Sequence, residues 1–144
     1  MARMKMWLLG APHLAIDGVN VEITRQKGMA MLAFLAVSGV AQQRDKLAAL
    51  FWPHSTQSQA RASLRRDLSV LNKAIGPEWL IIERERVELL SDKVELDVTE
   101  FTAALSRCRD LGLSPDQNLA DCVPPLTAAV ELYKDEFMAG FSLA

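Results

Sequence analysis

The stretch QSQARASLRRDLSVLNKAI, Gln57 to Ile75, decides how this chain is read, because its residues sort into two faces at helical spacing. At about 100° per residue, Ala60, Leu64, Leu68, Leu71 and Ile75 fall together on one side. Ser58, Ala62, Arg65, Arg66, Ser69 and Lys73 fall opposite or beside it, while Arg61 and Asp67 lie toward the core flank. The expected helix therefore buries an apolar stripe and presents cations, hydroxyls and one small residue. Arg and Lys are also ordinary formers of solvated helix faces, so the flanking elements decide what this face means.

Upstream, Pro53–Ser58 reads as a polar loop, and Pro53 stops a short helix that begins at Arg44 or Asp45 and ends at Phe51 or Trp52. Before it, Thr24 offers an N-cap for a helix through about Val37, ended by Ser38-Gly39. Met29, Leu32, Ala33, Leu35 and Ala36 make that helix apolar on more than one side, which suits a central buried position. The N-terminal segment reads as strands Met4–Leu9, Leu14–Ile16 and Val19–Ile23, with Asp17-Gly18 as a two-residue hairpin turn between the last two.

Downstream of Gly76-Pro77, Trp79–Ile82 and Val87–Leu90 flank Glu83-Arg84-Glu85-Arg86, the pattern of a two-stranded ribbon with a charged tip. A short strand Val94–Leu96 follows; Thr99 caps a helix to about Leu111, and Leu119–Phe137 holds at least one more. This order predicts an α+β fold: a winged helix-turn-helix with an N-terminal antiparallel sheet and a C-terminal β-ribbon wing over residues 1–97. A short all-α segment over residues 98–144 follows it. In a winged helix the third helix is placed to enter a major groove, with the ribbon beside the backbone or minor groove.

Net charge alone, −2 over 144 residues, argues against a nucleic-acid partner. Its distribution argues the other way. Between positions 24 and 76, eight basic residues face only Asp45 and Asp67, which leaves that stretch at +6. From Thr99 onward three basic residues face seven acidic ones. Since potentials near a surface are set within roughly 8 Å at physiological salt, the basic middle keeps its own field.

On the third helix, Arg65 and Arg66 can pair with guanine edges, and Ser69, Lys73 and Ser58 can reach phosphate or base edges. Arg44, at the head of the second helix, is a candidate phosphate contact, and Arg84 and Arg86, at the ribbon tip, are candidate phosphate or minor-groove contacts. Arg25 and Lys27, at the head of the first helix, are weaker candidates of the same kind. At the tip, Glu83 and Glu85 alternate with the arginines, and ion pairs on a solvated turn account for all four equally well. Trp7, Trp52 and Trp79 are spread over three elements and read as core or interface anchors, not as base-stacking platforms.

His13 and His54 have no second ligand at metal spacing and no nucleophile beside them, and the seven glycines form no phosphate loop. No catalytic residue, metal or cofactor is expected, and the chain is not read as an enzyme. Cys108 and Cys122 are close enough in sequence for a disulfide, but read rather as a reduced, buried pair. No stretch approaches the roughly 18 apolar residues of a membrane span, so a cytoplasmic protein with no membrane partner is expected.

The ordered pieces also resemble a known family. Leu8-Leu9-Gly10 with Pro12 and Asp17-Gly18, Lys27…Ala30…Leu32, and Arg44-Asp45-Lys46-Leu47…Leu50-Phe51-Trp52-Pro53 are three of them. Ala60-Arg61…Leu64-Arg65…Leu68…Leu71, Leu96-Asp97-Val98…Phe101, and Tyr133-Lys134-Asp135-Glu136-Phe137-Met138-Ala139-Gly140-Phe141 complete the series. Together they resemble activators of the streptomycete antibiotic regulatory protein type, a response-regulator-like winged helix joined to a bacterial transcriptional activator domain. The resemblance implies binding to repeats in double-stranded promoter DNA, with a homodimer partner possible, and activation through RNA polymerase touched by the loop Pro53–Ser58. It departs from the family in a more acidic ribbon tip and in matching only the first part of the family's helical array. A winged helix that docks on protein instead of DNA, within a larger signalling regulator, is the alternative those departures favour.

Overall fold

The computed structural model describes residues 3–110 together with 127, 130–134 and 137–138. Three strands open it, β1 (Met4–Trp7), β2 (His13–Ile16) and β3 (Val19–Val21), each antiparallel to the next. Asp17 and Gly18 turn between β2 and β3 with φ of 50° and 81°. Positive φ at both central residues gives the turn the twist of its strands, and Asp-Gly tolerates it. The Asp17 carboxylate also accepts the Arg3 N–H at 2.9 Å, which ties the turn to the start of β1.

The helix α1 (Gln26–Ser38) runs through the centre, with Met29 to Ala33, Leu35 and Ala36 all buried. Its N-cap is Arg25 in extended conformation with no side-chain bond, not the expected Thr24. The first turn closes one residue later because the Met29 N–H donates to the Arg25 carbonyl at 3.1 Å. Gly39 ends the helix in the left-handed region at φ 68°, its N–H donating to the Leu35 carbonyl.

Next come β4 (Gln42–Gln43), α2 (Arg44–Phe51), α3 (Gln57–Ile75), β5 (Leu80–Ile82) and β6 (Arg86–Leu89). Ribbon strands β5 and β6 pair antiparallel, and β4 adds to the other side of β6, giving the order β4-β6-β5. The pair Gln42–Gln43 carries no strand signal in its own sequence; its pairing with Val87 and Arg86 makes it a strand. Finally β7 (Val94–Leu96) lies parallel to β1, so the first sheet has the order β3-β2-β1-β7 and is not wholly antiparallel as expected.

One core joins these layers. Met4, Met6 and Leu14 of the first sheet, with Leu8 just beyond β1, meet α1, Leu47 and Phe51 of α2, and Leu64, Leu68, Leu71 and Ile75 of α3. Trp79, Leu80, Val87 and Leu89 close it from the ribbon side. Trp79 is 1% exposed, as expected of a core anchor. At about 1.5–3 kcal/mol for each large apolar side chain removed from water, these contacts hold α3 by its inner stripe and leave its outer face free.

The helix α4 (Asp97–Asp110) begins at Asp97, two positions before the expected cap Thr99. The Asp97 side chain is buried and accepts the N–H groups of Leu8 and Leu9, each at 2.8 Å. Those two donors leave the strand ladder, which is why β1 stops at Trp7 and not at Leu9. Charge-assisted bonds to backbone donors compensate a buried carboxylate and here join elements some 90 positions apart. Within the expected helical stretch Leu119–Phe137, residues 130–132 are helical. Phe137 bridges to Leu9, and the Met138 N–H donates to the Leu8 carbonyl at 2.6 Å. The remainder of that stretch, with Cys122, lies outside the described residues, as does the side chain of Cys108, so the state expected of the two cysteines does too. No helix among the described residues is long and apolar enough to cross a membrane.

Candidate nucleic-acid interface

The helix α3 is set by a cap at one end and by its apolar stripe along its length. The Thr56 hydroxyl accepts the Gln59 N–H at 3.2 Å, satisfying one of the free donors of the first turn. Ala60, Leu64, Leu68, Leu71 and Ile75 are buried, as their spacing predicts, and Asp67 is buried with them. Ser58, Arg65, Arg66, Ser69 and Lys73 are all exposed. Half-buried Ala62 sits among them, so the middle of this face carries only a methyl group where a partner backbone or base would approach closely. Gln59, also exposed on this side, was not singled out from the sequence, where the cations drew the reading; its amide suits an adenine edge.

The acids near this face are committed elsewhere. Asp67 receives the Arg25 guanidinium at 2.8 Å. Asp45, on α2, receives Arg61 through two bonds of 2.9 and 3.1 Å. The hydrogen bond from the Arg61 guanidinium holds the Asp45 carboxyl below its ordinary value of 3.8, against a smaller opposing effect of desolvation, and the same bond raises the Arg61 guanidinium. Arg61 is thus a structural residue, but an exposed one that bridges α2 and α3 and does not lie against the core. Among the described residues, Arg65, Arg66 and Lys73 take part in no ion pair.

The ribbon tip is arranged differently. Arg86 Nε lies 3.1 Å from a Glu83 carboxylate oxygen. Half-buried Arg44 spans from α2 to the ribbon, its backbone N–H donating to the Glu85 carbonyl at 2.8 Å and its guanidinium to the Glu83 carbonyl at 3.1 Å. Arg84 is exposed and in no ion pair among the described residues. The structure therefore gathers Arg44, Arg84 and Arg86 at one end of the ribbon. Ser58, Arg65, Arg66, Ser69 and Lys73 form a separate group on α3.

Elsewhere, His13 stacks on Trp7 with ring centroids 4.6 Å apart, and its Nδ1 lies 3.0 Å from the Ala11 carbonyl. Lys27 places its ammonium 5.0 Å from the centre of the Trp52 ring, and Lys46 lies over Phe34. These contacts fix long cationic side chains on aromatic faces at the solvent boundary.

The fold is similar to that of Mycobacterium tuberculosis EmbR, solved in complex with a low-affinity phosphopeptide, with a TM-score of 0.73 at 22% sequence identity. The match covers 96% of this chain and 38% of the EmbR chain, so the chain spans well under half the length of that protein. No protein-family model and no curated protein matches the sequence. At this identity the likeness shows the fold, a mixed α+β winged helix, and the site rests on the residues described above.

Proposed function

We propose that this chain is a DNA-binding transcription regulator of the streptomycete antibiotic regulatory protein type, and that it reads duplex DNA with the exposed face of α3. One observation carries the reading. Arg65, Arg66 and Lys73 share an exposed face with Ser58 and Ser69, and the acid of α3 itself, Asp67, and that of the adjoining α2, Asp45, are already paired with Arg25 and Arg61. That face is positive, carries donors suited to guanine edges and phosphates, and projects from a helix locked by its buried side.

Residues 1–97 form the reading unit on this account, and residues 98–144 are the start of an activator domain. Arg84 and Arg86 at the ribbon tip, with Arg44 behind them, lie along the flanking backbone. Promoter repeats would be occupied by two copies. The loop between α2 and α3, which ends at the Thr56 cap and whose residues from Pro53 to Thr56 are all exposed, is the surface offered to RNA polymerase.

The test is the affinity of the full chain for a mixed-sequence DNA duplex as salt is raised from about 50 to 200 mM. A protein holding several phosphates loses on the order of a thousandfold over that range. Affinity that ignores salt, or no binding at the lowest salt, overturns the reading. In the second case, chemical-shift changes confined to α4 and the tail on adding polymerase would point to a protein-docking module instead.

A further inference from the structure

A depression of about 280 Å³ lies beside the exposed face of α3, between the first turn of α1 and the middle of α3. Arg25, Lys27, Trp52, Ser63, Arg66 and Asp67 line it. Sites for whole small molecules begin at about 300 Å³, so this one lies at their lower edge, and it is the charge of its lining that suits it to an anionic group. Its lining brings three cations from two elements around one carboxylate, and that carboxylate is bonded to Arg25. Lys27 and Arg66 remain without an ion-pair partner among the described residues.

We infer that this depression seats one phosphate of the DNA backbone, held by Lys27, Ser63 and Arg66, when the strand runs past the flank of α3. The inference rests on the DNA-reading proposal and deepens it. Bringing like charges around a concave surface costs free energy that an anion recovers. The Lys27 side chain is fixed in advance by its stacking on Trp52, so little rotamer freedom is left to lose on contact. Arg25 is fixed likewise by Asp67 and contributes its charge without moving. Half-buried Ser63 supplies a hydroxyl on the same wall. The first turn of α1 has no acidic residue and no side-chain cap, so nothing there opposes an anion.

A DNA phosphate fits better than a phosphorylated peptide because Arg66 belongs to both surfaces. It lines the depression and also stands beside Ala62, Ser69 and Lys73 on the outer face of α3, so one polyanion can occupy both at once. In the sequence Arg25 and Lys27 are phosphate candidates at the head of a helix, and Ser63 carries no signal of its own. What joins them is the meeting of α1 and α3, which no local pattern shows.

Binding of a mixed-sequence duplex to the full chain, followed across salt for Lys27→Met, Ser63→Glu and Arg66→Ala, tests the inference. Lys27→Met keeps the stem over Trp52 and removes the charge. It is expected to weaken binding about fivefold to tenfold and to reduce the log–log salt slope by about one. Ser63→Glu, which puts a carboxylate in the depression, is expected to weaken binding at least as much with an unchanged melting temperature. Lys27→Arg should retain most of the affinity. If Lys27→Met and Ser63→Glu both bind as the parent does while Arg66→Ala binds weakly, the depression holds no phosphate and the α3 reading survives. If the unaltered chain fails to bind, both fall together. A phosphoserine peptide that moves the Lys27 and Ser63 resonances when the duplex does not would replace DNA with a phosphoprotein as the occupant and overturn the inference.

Discussion

The outer face of α3 and the tip of the β5–β6 ribbon both present arginines to solvent, yet among the described residues only Arg84 at the tip is as free of ion pairs as Arg65 and Arg66 on α3. On α3, Arg65 and Arg66 are exposed and join no ion pair among the described residues. At the ribbon, Arg86 is paired with Glu83, and the Glu83 carbonyl takes the Arg44 guanidinium as well. Charge in a sequence becomes charge available to a polyanion only where neighbouring acids are absent or otherwise engaged. On α3 they are engaged, through Arg25–Asp67 and Arg61–Asp45.

The largest effect expected from this contrast comes from Arg65→Ala combined with Arg66→Ala. Loss of two charge-assisted contacts is expected to weaken duplex binding on the order of a hundredfold, with the melting temperature hardly changed because both side chains are exposed. Fluorescence anisotropy and thermal melting check the two halves. A double variant that binds normally breaks the comparison, since α3 would then be no more committed to DNA than the ribbon is.

A smaller effect of opposite sign is expected at the ribbon. Glu83→Gln releases Arg86 from its pair and removes a negative charge from the tip. An exposed pair of this kind is worth at most about 1 kcal/mol, so affinity for DNA is expected to rise about twofold to threefold. Arg84→Ala and Arg86→Ala should each lower it by less than the α3 variants do. Unchanged affinity in Glu83→Gln would mean that the tip stays away from the backbone.

The parts of this contrast that sequence reveals are those with a local cause. Helical spacing alone separates the buried stripe of α3 from Ser58, Arg65, Arg66, Ser69 and Lys73, and Asp-Gly alone predicts the β2–β3 turn. The parts it hides depend on residues far apart in the chain. Gln42 and Gln43 are poor strand formers and become β4 only because β6 is beside them. Asp97 starts α4 and ends β1 because its carboxylate meets the Leu8 and Leu9 amides. The alternation of Glu and Arg at the ribbon tip is visible in sequence, but that Arg44 reaches the tip from α2 and bonds the Glu83 carbonyl is not. Arg61 falls toward the core flank by angle and turns outward because Asp45 lies across the α2–α3 contact.

The smallest effect concerns that last pair. Because hydrogen bonding to Arg61 lowers the Asp45 carboxyl, its contribution to stability is present above the ordinary value of 3.8 and is lost as pH falls through the lowered one. Both groups are exposed, so Asp45→Asn is expected to shift the urea midpoint only slightly at neutral pH. The difference from the parent chain should shrink at acid pH, below the lowered value. A gap that stays constant from neutral to acid pH would mean that the pair contributes nothing through its charge.

The most direct measurement is a titration of a mixed-sequence DNA duplex into isotopically labelled full chain, followed residue by residue. The account predicts that the first and largest shifts fall on Ser58, Ala62, Arg65, Arg66, Ser69 and Lys73 of α3, with smaller ones at Arg84 and Arg86. Shifts confined to the ribbon, or to α4 and the tail, with α3 unmoved, would contradict it.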